Sequence, residues 1–110
     1  MSLYAKYLAE RTDDQILESA SAFATYRYLN EKQVYIIDIY CEPHARKQGM
    51  AARLADGIAE LALARGCTQM IGTVCTKTRG AEDSVKVLFA YGMRLLSANN
   101  DVIFFVKDLR

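Results

Sequence analysis

The chain has 110 residues, enough for one compact domain over residues 1–110 and little more. Its apolar share of 52% and charged share of 25% are those of an ordinary folded protein. Fourteen basic against thirteen acidic residues leave a net charge of +1, which excludes a strongly basic nucleic-acid binder and an acidic solvating tail.

In chain order, Leu3, Tyr4, Tyr7, Leu8 and Arg11 recur at helical spacing and predict a first short helix, punctuated by Thr12-Asp13-Asp14. Ile16–Ser19 reads as a short strand. Phe23–Leu29 and Val34–Cys41 read as two strands of a hairpin across Asn30-Glu31-Lys32. The second of these is almost continuously apolar, which predicts burial on both faces. It stops at Glu42-Pro43, since proline cannot continue a ladder. Met50–Arg65 is a helix with Leu54, Ile58, Leu61 and Ala62 on one face and Gly66 just past its end. Thr68–Thr76 reads as a buried strand and Glu82–Tyr91 as a helix closed by Gly92. Met93–Leu96 and Val102–Val106 read as strands joined across Ser97–Asp101. The order α-β-β-β-α-β-α-β-β predicts an α/β (α+β) domain with a mixed, mostly antiparallel sheet flanked by helices.

Cys41, Cys67 and Cys75 are an odd set without close spacing. They suit small buried hydrophobes in a reducing cytoplasm better than a disulfide framework, and no metal-ligand spacing stands out. No apolar run approaches the roughly 18 residues of a membrane span. The opening Met-Ser-Leu-Tyr-Ala-Lys-Tyr lacks the apolar core of a signal peptide. The tyrosines of the hairpin (Tyr26, Tyr28, Tyr35, Tyr40) fit half-buried sheet positions better than nucleic-acid stacking.

The chemistry gathers between Val34 and Arg65. A strand breaks at proline, and a loop with Arg46, Lys47 and Gly49 opens directly into a long helix, with no acid between Pro43 and Asp56. A helix N-terminus offers unpaired N–H groups and partial positive charge. Gly49 lets backbone approach a ligand, and Ala51 keeps the next position small. The spacing Arg46-Lys47-Gln48-Gly49-Met50-Ala51 (R-x-x-G-x-A) is neither a P-loop nor a dinucleotide fingerprint. It reads as an anion site suited to phosphates, or else as an exposed basic loop capping a helix.

The run Ile39-Tyr-Cys-Glu-Pro-His-Ala-Arg-Lys-Gln-Gly-Met-Ala-Ala-Arg-Leu-Ala resembles the acetyl-CoA-binding core of the GNAT acyltransferase superfamily. The resemblance extends over about residues 22–107. It implies that acetyl-CoA is the cosubstrate, with pyrophosphate on Arg46, Lys47, Gln48, Gly49, Met50 and Ala51. The pantetheine arm would lie on main chain near Ile39 and Cys41, and the acetyl group where strands 34–41 and 68–76 part. It further implies N-acetyl transfer to a primary amine, of a protein or a small molecule; direct attack is expected because no activated nucleophile is evident in the sequence. The family's usual side chains are mostly replaced: Tyr35 stands where many members have Glu, Leu88 where many have Tyr, and Ala81 near the usual Asn. The alternative expectation is a non-catalytic acetyl-CoA-binding module that regulates a partner.

Candidates for the catalytic roles are few. Asp38, within the apolar strand, is a candidate base if buried, or a carboxylate with a structural partner. Tyr91 is a candidate near the cofactor thiol, or a packing residue at a helix end. His44, Cys75 and Ser84 read as a loop histidine, a buried strand cysteine and an early-helix hydroxyl. The N-terminal part before the strand at Val34 is short for the family. That points to an open acceptor side and to a homodimer that covers exposed apolar surface or a strand edge.

Overall fold

The computed structural model describes residues 2–109. Helix α1 (Leu3–Arg11) starts at Ser2, whose hydroxyl accepts from the Ala5 amide at 3.0 Å. Strand β1 (Gln15–Glu18) and strand β2 (Ala22–Tyr28) pair antiparallel. Strand β3 (Gln33–Cys41) returns along β2 through a turn in which the Asn30 side chain accepts from the Lys32 amide. A 3₁₀ turn at Pro43–Ala45 leads to helix α2 (Met50–Ala64). Strand β4 (Gln69–Cys75), helix α3 (Ala81–Tyr91), strand β5 (Arg94–Asn99) and strand β6 (Val102–Asp108) complete the order expected from sequence. All six strands join in one sheet, β1-β2-β3-β4-β6-β5, antiparallel except where β3 meets β4.

Period-four spacing on α2 turns Leu54, Ile58 and Ala62 inward, with Ala55 beside them. They pack on Ala22, Ala24 and Tyr26 of β2, with Met70 and Phe105 in the same core. Complete burial of a side chain such as Ile58 is worth about 1.5–3 kcal/mol. Gly57 brings α2 close to β1, since a Cβ there would stand 2.8 Å from Leu17 Cδ2. Past the end of α2, Gly66 takes φ +95, and the Gly66 and Cys67 amides donate back to Leu63 and Ala62. This paired closure requires a left-handed residue, which glycine supplies without steric cost. Helix α3 shares this face of the sheet, where Phe89 meets Phe105 edge-on at 5.3 Å. Helix α1 lies on the other face, where Tyr4 meets Phe23.

Two expectations are corrected. With one nine-residue helix on that side, β3 is not buried on both faces: among its residues only Val34 is fully buried, and Asp38 and Tyr40 are exposed. The closing hairpin is also tighter than expected. Strand β5 runs to Asn99, Asn99 pairs with Val102, and Asn100 takes φ +56 in the two-residue turn. No helix among the described residues is long and apolar enough to cross a membrane.

Candidate active site

Strand β3 carries a bulge. Thr25 of β2 pairs with Asp38 and the next residue, Tyr26, pairs with Ile36, so Ile37 is the extra residue on β3. The parallel ladder to β4 ends at the same place: it runs from Gln33–Gln69 to Ile36–Gly72 and goes no further. Beyond Ile36 the edge of β3 that faces β4 has no strand partner. The two strands part and leave main-chain donors and acceptors of Ile37–Cys41 on an open edge.

The loop that follows leads into α2. Lys47 (φ +63) and Gly49 (φ +78) both adopt left-handed backbone on either side of Gln48. For lysine this conformation is uncommon and costs energy. The first bond of the helix ladder runs from the Arg53 amide to the Gly49 carbonyl, so helix geometry gives the Met50, Ala51 and Ala52 amides no partner within α2. The first turn holds no acidic residue, and Gly49 makes no side-chain cap. A Cβ on Gly49 would meet nothing within 4 Å, so the approach to these amides is open. Arg46 Nε donates to the Cys41 carbonyl at 3.0 Å, and Gln48 Nε2 donates to the His44 carbonyl at 2.9 Å. Free amides, open space, Arg46, Lys47 and a first turn without acid fit a polyanionic group such as a pyrophosphate.

The structure thus gathers Ile39, Cys41, Arg46, Lys47, Gln48, Gly49, Met50 and Ala51 at one end of the sheet, around the parting of β3 from β4. Ile39 and Cys41 are half-buried, Arg46–Gly49 exposed. Asp38 was expected in an apolar interior; the bulge at Ile37 instead sets it on the open face, exposed to solvent. Tyr91 donates its hydroxyl to Asp56 Oδ1 at 2.7 Å, and burial together with that carboxylate pushes the phenol well above its ordinary value. Its proton is therefore held between α3 and α2. Leu88, at the position where the family resemblance calls for tyrosine, packs 3.8 Å from where a Cβ on Gly72 would stand. His44 is exposed with Nδ1 3.4 Å from Glu42, and Ser84 is exposed in the first turn of α3.

Cys75 overturns its sequence reading. It ends β4 in solvent, and hydrogen bonds from the Thr78 hydroxyl and the Lys77 amide hold its thiol below the usual range. Tyr40, read from sequence as a half-buried sheet residue, is exposed, and the bulge at Ile37 was not foreseen. The bulge leaves no composition signal, and Tyr40 could have been found only by pairing it with Phe23 and noting Arg46 six residues on.

Comparison with known proteins agrees with this geometry. Over 68 residues the chain is 32% identical to the thialysine N-epsilon-acetyltransferase of Bos taurus. That stretch is 62% of this chain and 40% of the relative, so the chain matches well under half of that protein's length. A structure from Desulfovibrio desulfuricans, described as an acetyltransferase of the GNAT family, superposes with TM-score 0.80 at 12% identity. The match takes in 96% of this chain and 76% of that one. A GNAT family acetyltransferase from Elizabethkingia anophelis with acetyl-CoA bound superposes with TM-score 0.74 at 11% identity, over 97% of this chain and 82% of that one. At such identities these structures speak for the fold. The family model described as acetyltransferase (GNAT) family matches residues 4–88, most of the chain, and with the parted strands and the acid-free helix start it identifies the chain as a member of the GNAT acetyltransferase family.

Proposed function

We propose that the chain is an acetyl-CoA-dependent N-acetyltransferase that passes the acetyl group to a primary amine of a protein or small molecule by direct attack. The observation that carries this reading is the parting of β3 from β4 beside the free amides of α2. Acetyl-CoA, when bound, supplies an acetyl group already activated as a thioester. Arg46, Lys47 and the amides of Gly49–Ala52 would hold its phosphates. The open edge at Ile39 and Cys41 would hold the pantetheine arm, and N–H groups on that edge suit a carbonyl oxygen that gains negative charge.

An amine acceptor must first lose a proton, since an alkylammonium has a pKa of about 10.4. The burial on which Asp38 depended as a base is absent, since it is exposed on the face opposite α2; a role for it is proposed only as a relay to water at the open edge. The half-buried Cys41, buried Cys67 and exposed Cys75 are all free thiols, which suits a reducing cytoplasm. All six residues of β5 are exposed, Leu95 and Leu96 among them, and Val87 and Phe89 of α3 are exposed nearby. This supports a homodimer through that edge, for which a monomeric mass by light scattering at high concentration is the contrary result.

A second reading, a non-catalytic acetyl-CoA-binding module, draws on Leu88 beside Gly72 and on the Tyr91 proton held by Asp56. Titration calorimetry with acetyl-CoA on the wild type and on Gly49→Glu tests the site. The expected result is binding by the wild type and none by the folded variant. No wild-type binding at millimolar ligand overturns both readings. Turnover with a panel of amines then separates enzyme from binding module.

A further inference from the structure

A row of rings crosses the open face of the sheet toward the cofactor loop. Tyr4 of α1 meets Phe23 of β2 at 5.6 Å between ring centres, and Phe23 meets Tyr40 of β3 at 5.9 Å. Phe23 and Tyr40 are direct partners in the β2–β3 register, so the ladder itself sets their contact. Beyond Tyr40 stands Arg46, its guanidinium carbon 5.7 Å from the Tyr40 ring centre. The same guanidinium donates from Nε to the Cys41 carbonyl. No carboxylate among the described residues lies within 4.0 Å of Arg46 to neutralise it.

We infer that Tyr40 is a positioning residue: its ring, braced by Phe23, and the Cys41 carbonyl hold the Arg46 guanidinium at the mouth of the phosphate loop before any ligand arrives. This rests on the reading of that loop as the cofactor site. A free arginine loses much rotamer freedom when it pairs with an anion, and restraint in advance spares affinity that loss. The ring also favours the cation electrostatically, while Arg46 Nη1 and Nη2 stay outside the Nε–Cys41 bond. Tyr40 would thus act on the ligand only through Arg46, and the phenol hydroxyl has no part in the effect.

The test is a double-mutant cycle read by titration calorimetry with coenzyme A, using Tyr40→Leu, Arg46→Ala and the pair, with Tyr40→Phe as the conservative variant. Tyr40→Leu is expected to weaken binding about two- to five-fold, the range of an exposed cation–ring contact. In the Arg46→Ala background it should change nothing, and Tyr40→Phe should bind as the wild type does. A general packing role would give losses that add; phenylalanine keeps the ring and rescues either role, so the cycle is what separates them, and Tyr40→Phe shows only that the hydroxyl has no part. Additive losses, or a folded Tyr40→Leu that binds as tightly as wild type, overturn the role of Tyr40 and leave the cofactor site standing. No coenzyme A binding by the wild type overturns both. Tyr40→Thr, with a β-branched side chain suited to a strand, replaces the leucine variant if the latter does not fold.

Discussion

Helices α2 and α3 start from the same backbone device and finish it differently. Gly49 and Gly80 both stand at the N-cap in left-handed conformation, with φ of +78 and +82, and neither helix has a side-chain cap. A Cβ on either glycine would meet nothing within 4 Å. Both are preceded by two cations, Arg46 and Lys47 before α2 and Lys77 and Arg79 before α3, but the first turn of α3 then carries Glu82 and Asp83, whereas that of α2 carries no acid. The positive end of a helix is stabilised by negative charge nearby. Helix α3 brings that charge in its own sequence; α2 has none there.

The sharpest way to break this contrast is to give α2 what α3 has. Ala52 is exposed at the third position of α2, where a glutamate reaches back to the free amides of the first turn. Ala52→Glu should stabilise the free protein by about 0.3–1 kcal/mol. It should also weaken coenzyme A binding about 10- to 100-fold, because a fixed carboxylate then repels the phosphates. Thermal melts and calorimetry together read the exchange; equal affinity in variant and wild type would remove α2 as the phosphate site.

A middle-sized effect is expected where the two helices are tied, at Tyr91 and Asp56. Tyr91→Phe should cost about 1 kcal/mol near neutral pH for the lost hydrogen bond. Burial and Asp56 raise the Tyr91 pKa in the folded chain above its ordinary 10.0, so folding favours the protonated phenol. That contribution is whole below pH 10 and falls away as pH rises beyond it, when the unfolded chain ionises first. Urea melts near neutral pH and at about pH 11 should show a smaller alkaline loss in Tyr91→Phe than in wild type. Some loss remains, since burial also raises Tyr26 and Tyr28. The smallest effect belongs to Glu82→Gln at the start of α3. It should cost about 0.3–1 kcal/mol at low salt, fade as salt is added, and leave coenzyme A affinity as it was.

Each element and the loop Arg46–Ala51 were legible because they rest on local signals: glycines at helix ends, a proline after β3, and period-four spacing on α2. What sequence could not show depends on partners distant along the chain. Asp38 sits in an apolar run, yet a one-residue bulge and a face covered only in part by α1 put it in solvent. Cys75 follows a buried valine, but β4 ends there and its thiol meets Thr78 and Lys77 rather than the core. Tyr40 gains meaning only through its register with Phe23.

Only four residue pairs, Gln33–Gln69 to Ile36–Gly72, join the β1–β3 half of the sheet to the β4, β6, β5 half. The ladders on either side of this joint run longer: seven pairs link β2 to β3 and seven link β4 to β6. The main-chain joint between the two halves is therefore short, and the core that α2 shares with Met70 and Phe105 spans both of them. A ligand hydrogen-bonded along the free edge of β3 would supply the rungs that the ladder lacks and so lengthen the joint between the two halves of the sheet.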